Sequence, residues 1–116
     1  GSAASQLWQY DLATNKRTEY RNNGYQHLWP NFALGGKSVL TVTVSEKTPS
    51  SSYVNKPIPK YVDNVNRCPN VYAVDAPGKA RRLTNFVEEG TRYLTVSHDG
   101  QTAAFERDGD VYRLSA

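Results

Sequence analysis

Ser97-His98-Asp99 supplies, in three successive residues, the types found in a nucleophile, base and acid triad. A triad needs hydroxyl, imidazole and carboxylate in one hydrogen-bonded line, whereas neighbours on a strand point to opposite faces. With Gly100 next in the chain, the run reads as a hairpin turn. The chain has no Gly-x-Ser-x-Gly elbow, no glycine-rich phosphate loop leading into a helix, and no His or Cys cluster at metal-ligand spacing. His27 and His98 do not fall at equivalent positions of the repeat described below, so surface or turn roles are expected for both. Asp11 and Asp75 do fall at equivalent positions, and each is expected to close its strand with an Asx turn. Cys68 is the single cysteine. It has no partner for an intramolecular disulfide and no flanking group that would activate it, which predicts a structural thiol. The expected picture is a chain without catalytic residues, cofactor or metal.

The elements that position these residues are strands. Eight tyrosines, three phenylalanines and two tryptophans, with abundant Val and Thr, suit a pleated surface on which branched and aromatic side chains pack well. No 11-residue window has a convincing helical period. Hydrophobic residues make up 38% of the 116, enough for a packed core. The net charge of +3 is spread along the chain without a run of like charges, which argues against nucleic acid as a partner. No apolar stretch approaches the roughly 18 residues of a membrane span, and no basic-then-apolar signal segment opens the chain. A single cysteine leaves the compartment undecided.

A shift of 64 residues aligns positions 7–42 with 71–106 without a gap. Leu7-Trp8-Gln9-Tyr10-Asp11 falls on Val71-Tyr72-Ala73-Val74-Asp75, and Trp29-Pro30-Asn31-Phe32 on Tyr93-Leu94-Thr95-Val96. A third copy of the first motif, Asp110-Val111-Tyr112-Arg113-Leu114-Ser115, follows the second after 40 residues. The underlying period is therefore about 40, interrupted by an insertion over residues 45–69. Short strands repeating at that length are the signature of β-propeller blades. Gly35-Gly36 and Asp99-Gly100 sit between apolar runs as hairpin turns require. Val39-Leu40-Thr41-Val42-Thr43-Val44 is apolar on both faces, as expected of a strand covered from two sides.

The segment NVYAVDAPGKARRLTNFVEEGTRYLTVSHDGQTAAFERDGDVYRL, residues 70–114, resembles the WD-like propeller repeat of TolB and tricorn-type proteases. The resemblance lies in Val71-Tyr72-Ala73-Val74-Asp75, then Arg81-Arg82-Leu83-Thr84, then Ser97-His98-Asp99-Gly100, and is closest to tricorn-like peptidases in Phe105-Glu106 and the turn into Asp110-Val111-Tyr112. The first copy departs from it, with Thr18-Glu19-Tyr20 and Ala33-Leu34-Gly35-Gly36 at the matching places. It implies an all-β fold, a propeller fragment of antiparallel four-stranded blades. Residues 6–20 would be strands three and four of a partial blade, 28–84 a complete blade with an inserted loop at 45–69, and 93–115 strands one to three of another. The expected partners are then the remaining blades of a longer parent chain, or a second copy associating through the incomplete blades. In function, the resemblance implies a non-catalytic scaffold or a module that binds protein or peptide within a tricorn-like peptidase, or alternatively a TolB-like accessory propeller unconnected to any enzyme. It points toward a periplasmic or secreted setting.

The insertion is the expected partner-binding feature, because long loops on rigid scaffolds commonly carry binding. Tyr53, Lys56, Lys60, Tyr61 and Arg67 lie in it among prolines. The topology would place them on one rim with Tyr25 and Arg92.

Overall fold

The computed structural model describes residues 5–21, 26–44, 52, 54–57 and 66–116. The described residues form nine strands and one short 3-10 turn: β1 Leu7–Asp11, β2 Lys16–Arg21, β3 Gln26–Ala33, the turn Leu34–Gly36, β4 Ser38–Val44, β5 Asn70–Ala76, β6 Lys79–Arg82, β7 Arg92–Val96, β8 Thr102–Arg107 and β9 Asp110–Ser115. The protein is all-β, with every pairing antiparallel. The strands make three sheets, ordered β1-β2, β3-β4-β5-β6 and β7-β8-β9.

Sequential antiparallel order follows from the turns. Asp11 closes the β1–β2 hairpin by accepting the backbone N–H groups of Ala13 and Thr14 at 2.9 and 3.3 Å, the expected Asx turn. Asp75 departs from that expectation. Its carboxylate accepts the Ser38 hydroxyl at 2.9 Å and pairs with Arg81 Nε at 2.7 Å, bridging β4 to β6 across β5. Pro77-Gly78 makes the turn instead, with Gly78 at φ 73°, so the carboxylate is free for a cross-strand role.

The core lies where the sheets meet. Leu40, Val42, Val71 and Ala73 of the four-stranded sheet pack against Leu94, Ala103 and Phe105 of the three-stranded one. Leu7 packs with Val39 and Val74 at the other junction, backed by Tyr20. All residues from Ser38 to Thr43 are buried, as the run of apolar residues on both faces anticipates. Each fully covered Val or Leu contributes about 1.5–3 kcal/mol relative to exposure. Backbone hydrogen bonds join the sheets as well: Gly78 N–H donates to Tyr20 at 2.8 Å, and Leu34 N–H to Gly100 at 2.9 Å.

Asn70 is the polar counterpart of this packing. Fully buried at the start of β5, it donates through Nδ2 to the carbonyls of Cys68 and Phe86 and accepts at Oδ1 from the Thr84 hydroxyl and Phe86 N–H, all within 3.1 Å. Thr84 in turn accepts the N–H of Val71 at 2.9 Å. One side chain thereby fixes the strand, its neighbour and the loop beyond it.

Candidate functional site

The edge strands β3 and β7 each carry a bulge at the same place in the repeat. In β3, register passes from Leu28 opposite Val42 to Asn31 opposite Leu40, so Trp29 and Pro30 face one residue. In β7 it passes from Arg92 opposite Glu106 to Thr95 opposite Ala104, so Tyr93 and Leu94 face one residue. Trp29 and Tyr93 both take left-handed backbone, at φ 48° and 56°. For a bulky side chain that conformation costs about 1–3 kcal/mol, and bulges re-aim the residues they hold.

Here they aim two aromatic rings at each other. Trp29 and Tyr93 meet edge to face, with centroids 5.6 Å apart, an arrangement that the ring quadrupoles favour. Asn31 holds the pair of bulges in place, its Nδ2 donating both to Trp29 C=O and to Leu94 C=O on the neighbouring sheet at 3.1 Å. Thr41 donates to Leu28 C=O at 2.9 Å on the other flank. Tyr93 remains 58% exposed, and the Arg92 guanidinium lies 5.6 Å from its ring. Arg92 also pairs with Glu106 at 3.2 Å, so the charge beside the rings is largely balanced. The surface offers Tyr93 over a half-buried Trp29, is close to neutral, and is held against backbone strain by the Asn31 hydrogen bonds.

Of the residues expected on the partner-binding rim, Arg92 belongs to this cluster. Lys56 and Arg67 are exposed, and Arg67 has left-handed backbone at φ 55°. Tyr25, Tyr53, Lys60 and Tyr61 lie outside the described residues. Pro69, at the end of the insertion, packs against Gly90 and Thr91. Pro69 C=O accepts both the N–H and the hydroxyl of Thr91 at 3.0 Å, and the proline ring occupies the space a side chain at Gly90 would need. Arg107 closes that corner by stacking 4.0 Å over Phe86 and donating to Glu88 C=O at 2.9 Å. Phe105 and Tyr112 stack beneath it, 5.4 Å apart and 3° from parallel.

The residues with catalytic types take other roles. Asp99 accepts the Ser97 hydroxyl at 2.6 Å and Gln101 N–H at 3.0 Å, which holds its carboxyl below the usual range. The serine proton thus points to the carboxylate and not to an imidazole, as the turn reading expects. His27 corrects the expected surface or turn role. It is buried in β3, its Nδ1 3.0 Å from the Thr43 hydroxyl, and burial, with Arg21 nearby, lowers its pKa to about 4. Cys68 is buried, and burial pushes its thiol up to about 11, which makes it a poor nucleophile at neutral pH. Among the described residues no group of three or more His, Cys, Asp or Glu is placed to hold a metal. Nor is any helix among them long and apolar enough to cross a membrane.

The aromatic pair was missed in the sequence, where its only signal was two aromatics at aligned positions before a short apolar run. Comparison with protein-family models and with curated proteins finds no match for this chain.

Proposed function

We propose that the chain is a β-propeller segment that serves as a scaffold and binds protein or peptide, with the paired aromatics of β3 and β7 as its contact surface. The single observation that carries this reading is the equivalence of the two bulges, 64 residues apart in sequence and joined in space by Trp29, Tyr93 and Asn31. A fold that spends strain twice at equivalent positions to point rings at one place is built for contact there. In a propeller the first strand of each blade lines the central channel, so β3 and β7 would present these rings to a threading chain. An exposed Tyr93 ring beside a half-buried Trp29, with balanced charge, suits apolar or proline-containing peptide better than anionic ligands. The resemblance to tricorn-like peptidases supports a place beside a peptidase domain in a longer chain, and the open edges of β1 and β9 would there meet the remaining blades.

The test is retention of peptides from a tryptic digest of a denatured protein on the immobilised chain. Tyr93→Ala and Trp29→Ala should each release most of the retained peptides while leaving the far-ultraviolet dichroism unchanged. Equal retention by wild type and both folded variants would end this assignment.

A further inference from the structure

We infer that the partner of the Trp29 and Tyr93 surface is a proline-rich segment in the polyproline II conformation, held by ring faces and two side-chain donors and not by strand addition. This inference deepens the propeller reading and rests on it.

β3 is an edge strand, and an edge ordinarily invites an extended peptide to pair with its unused N–H and C=O groups. Beside the rings those groups are already engaged. His27 lies opposite Thr43, and its N–H and C=O turn away from β4 to a single side chain: the Ser5 hydroxyl accepts the N–H at 2.8 Å and donates to the C=O at 2.9 Å. Trp29 C=O accepts from Asn31 Nδ2 at 3.1 Å, and Pro30 has no N–H. None of these three residues therefore has both a free donor and a free acceptor for a neighbouring strand. Leu94 C=O, at the matching bulge of β7, is taken by the same Asn31 side chain. The left-handed backbone of Trp29 and Tyr93 also breaks the alternation on which a ladder depends.

What the surface does offer is donors on side chains. Among the described residues neither the Tyr93 hydroxyl nor the Trp29 indole N–H has a hydrogen-bond partner, whereas the indole N–H of Trp8 donates to Gln6 Oε1 at 2.8 Å. Rings of this kind take contact on their faces and a hydrogen bond at their polar tips. A polyproline II segment supplies both: its carbonyls carry no internal hydrogen bonds, its prolines bring no N–H that needs an acceptor, and its conformation is already set before docking. An extended strand would bring N–H groups to carbonyls that Ser5 and Asn31 already occupy, and leaving such groups unpaired on burial is unfavourable.

The experiment titrates the intact 116-residue protein with two ten-residue peptides, one of proline alone and one alternating threonine with valine, each flanked by a lysine at both ends. Indole N–H shifts and backbone amide exchange are read by NMR. The polyproline peptide should shift the indole N–H of Trp29 and leave that of Trp8. Tyr93→Phe, which keeps the ring and removes the hydroxyl, should weaken its binding about three- to tenfold, as expected for one hydrogen bond. The alternating peptide should bind at least tenfold more weakly than polyproline and leave amide exchange along β3 unchanged. Equal or tighter binding of the alternating peptide, slowed exchange in β3 when it is added, no shift at Trp29 with millimolar polyproline, or unchanged affinity in Tyr93→Phe would each overturn the proposal. Retention of tryptic peptides that is lost in Tyr93→Ala would still uphold the aromatic surface in any of those cases, which separates failure of this inference from failure of the reading beneath it.

Discussion

Leu34 and Gly100 share a backbone hydrogen bond of 2.9 Å, which ties the β3–β4 turn to the β7–β8 turn of the next sheet. Gly100 is at φ 74°, and a Cβ there would come within 2.9 Å of Leu34 N. Gly100→Ala therefore meets two obstacles, left-handed strain and a rigid backbone neighbour. It should destabilise the protein by about 2–3 kcal/mol in urea melts. Gly109→Ala, at φ 80° with nothing within 4 Å of the new carbon, should cost about 1 kcal/mol, from strain alone.

Asn70 satisfies four polar groups at once. Asn70→Ala leaves Phe86 N–H and the carbonyls of Cys68 and Phe86 without this partner at the edge of the core, so a loss of about 2–3 kcal/mol is expected by chemical denaturation. Thr84→Val, which removes one member of the network, should cost less than Asn70→Ala.

His27 sets an acid limit on stability. Its folded pKa, about 4, lies below its ordinary value of 6.5, so between those values the unfolded chain binds a proton that the native one refuses. Stability should be complete above pH 6.5 and fall by about 2 kcal/mol toward pH 4. Asp75, held down by Arg81 and Ser38, adds its own loss only below the ordinary carboxylate range. Denaturant melts of His27→Gln across this window should lose most of the slope between pH 4 and 6.5.

The bulges make an unusual stability prediction. Glycine in a strand is ordinarily worse than alanine, yet Trp29 at φ 48° occupies backbone that glycine adopts freely. Trp29→Gly should therefore be at least as stable as Trp29→Ala by thermal melting, reversing the usual order.

Strand content, turn positions and the doubly covered β4 were legible because period, glycine placement and apolar runs act locally. Asp11 behaved as its sequence neighbours dictate. Asp75, with the same motif, did not, since its partners Ser38 and Arg81 arrive on other strands and only pairing register brings them together. His27 was misjudged for a related reason: its aligned counterpart carries no histidine, and burial beside Thr43 depends on β3 lying against β4. The aromatic pair left only its two aligned positions as a signal, because no local rule places a tryptophan or tyrosine in left-handed backbone. Of the three described rim residues, Lys56, Arg67 and Arg92, it is Arg92 that reaches the pair, through Tyr93.

Cys68 lies at the stem of the insertion, two residues before Asn70, and it is buried. Its thiol is thus a built-in clock. A disulfide reagent can reach it only when that corner opens, so the labelling rate at fixed reagent counts how often the Pro69 and Gly90 junction parts, with no probe added to the molecule.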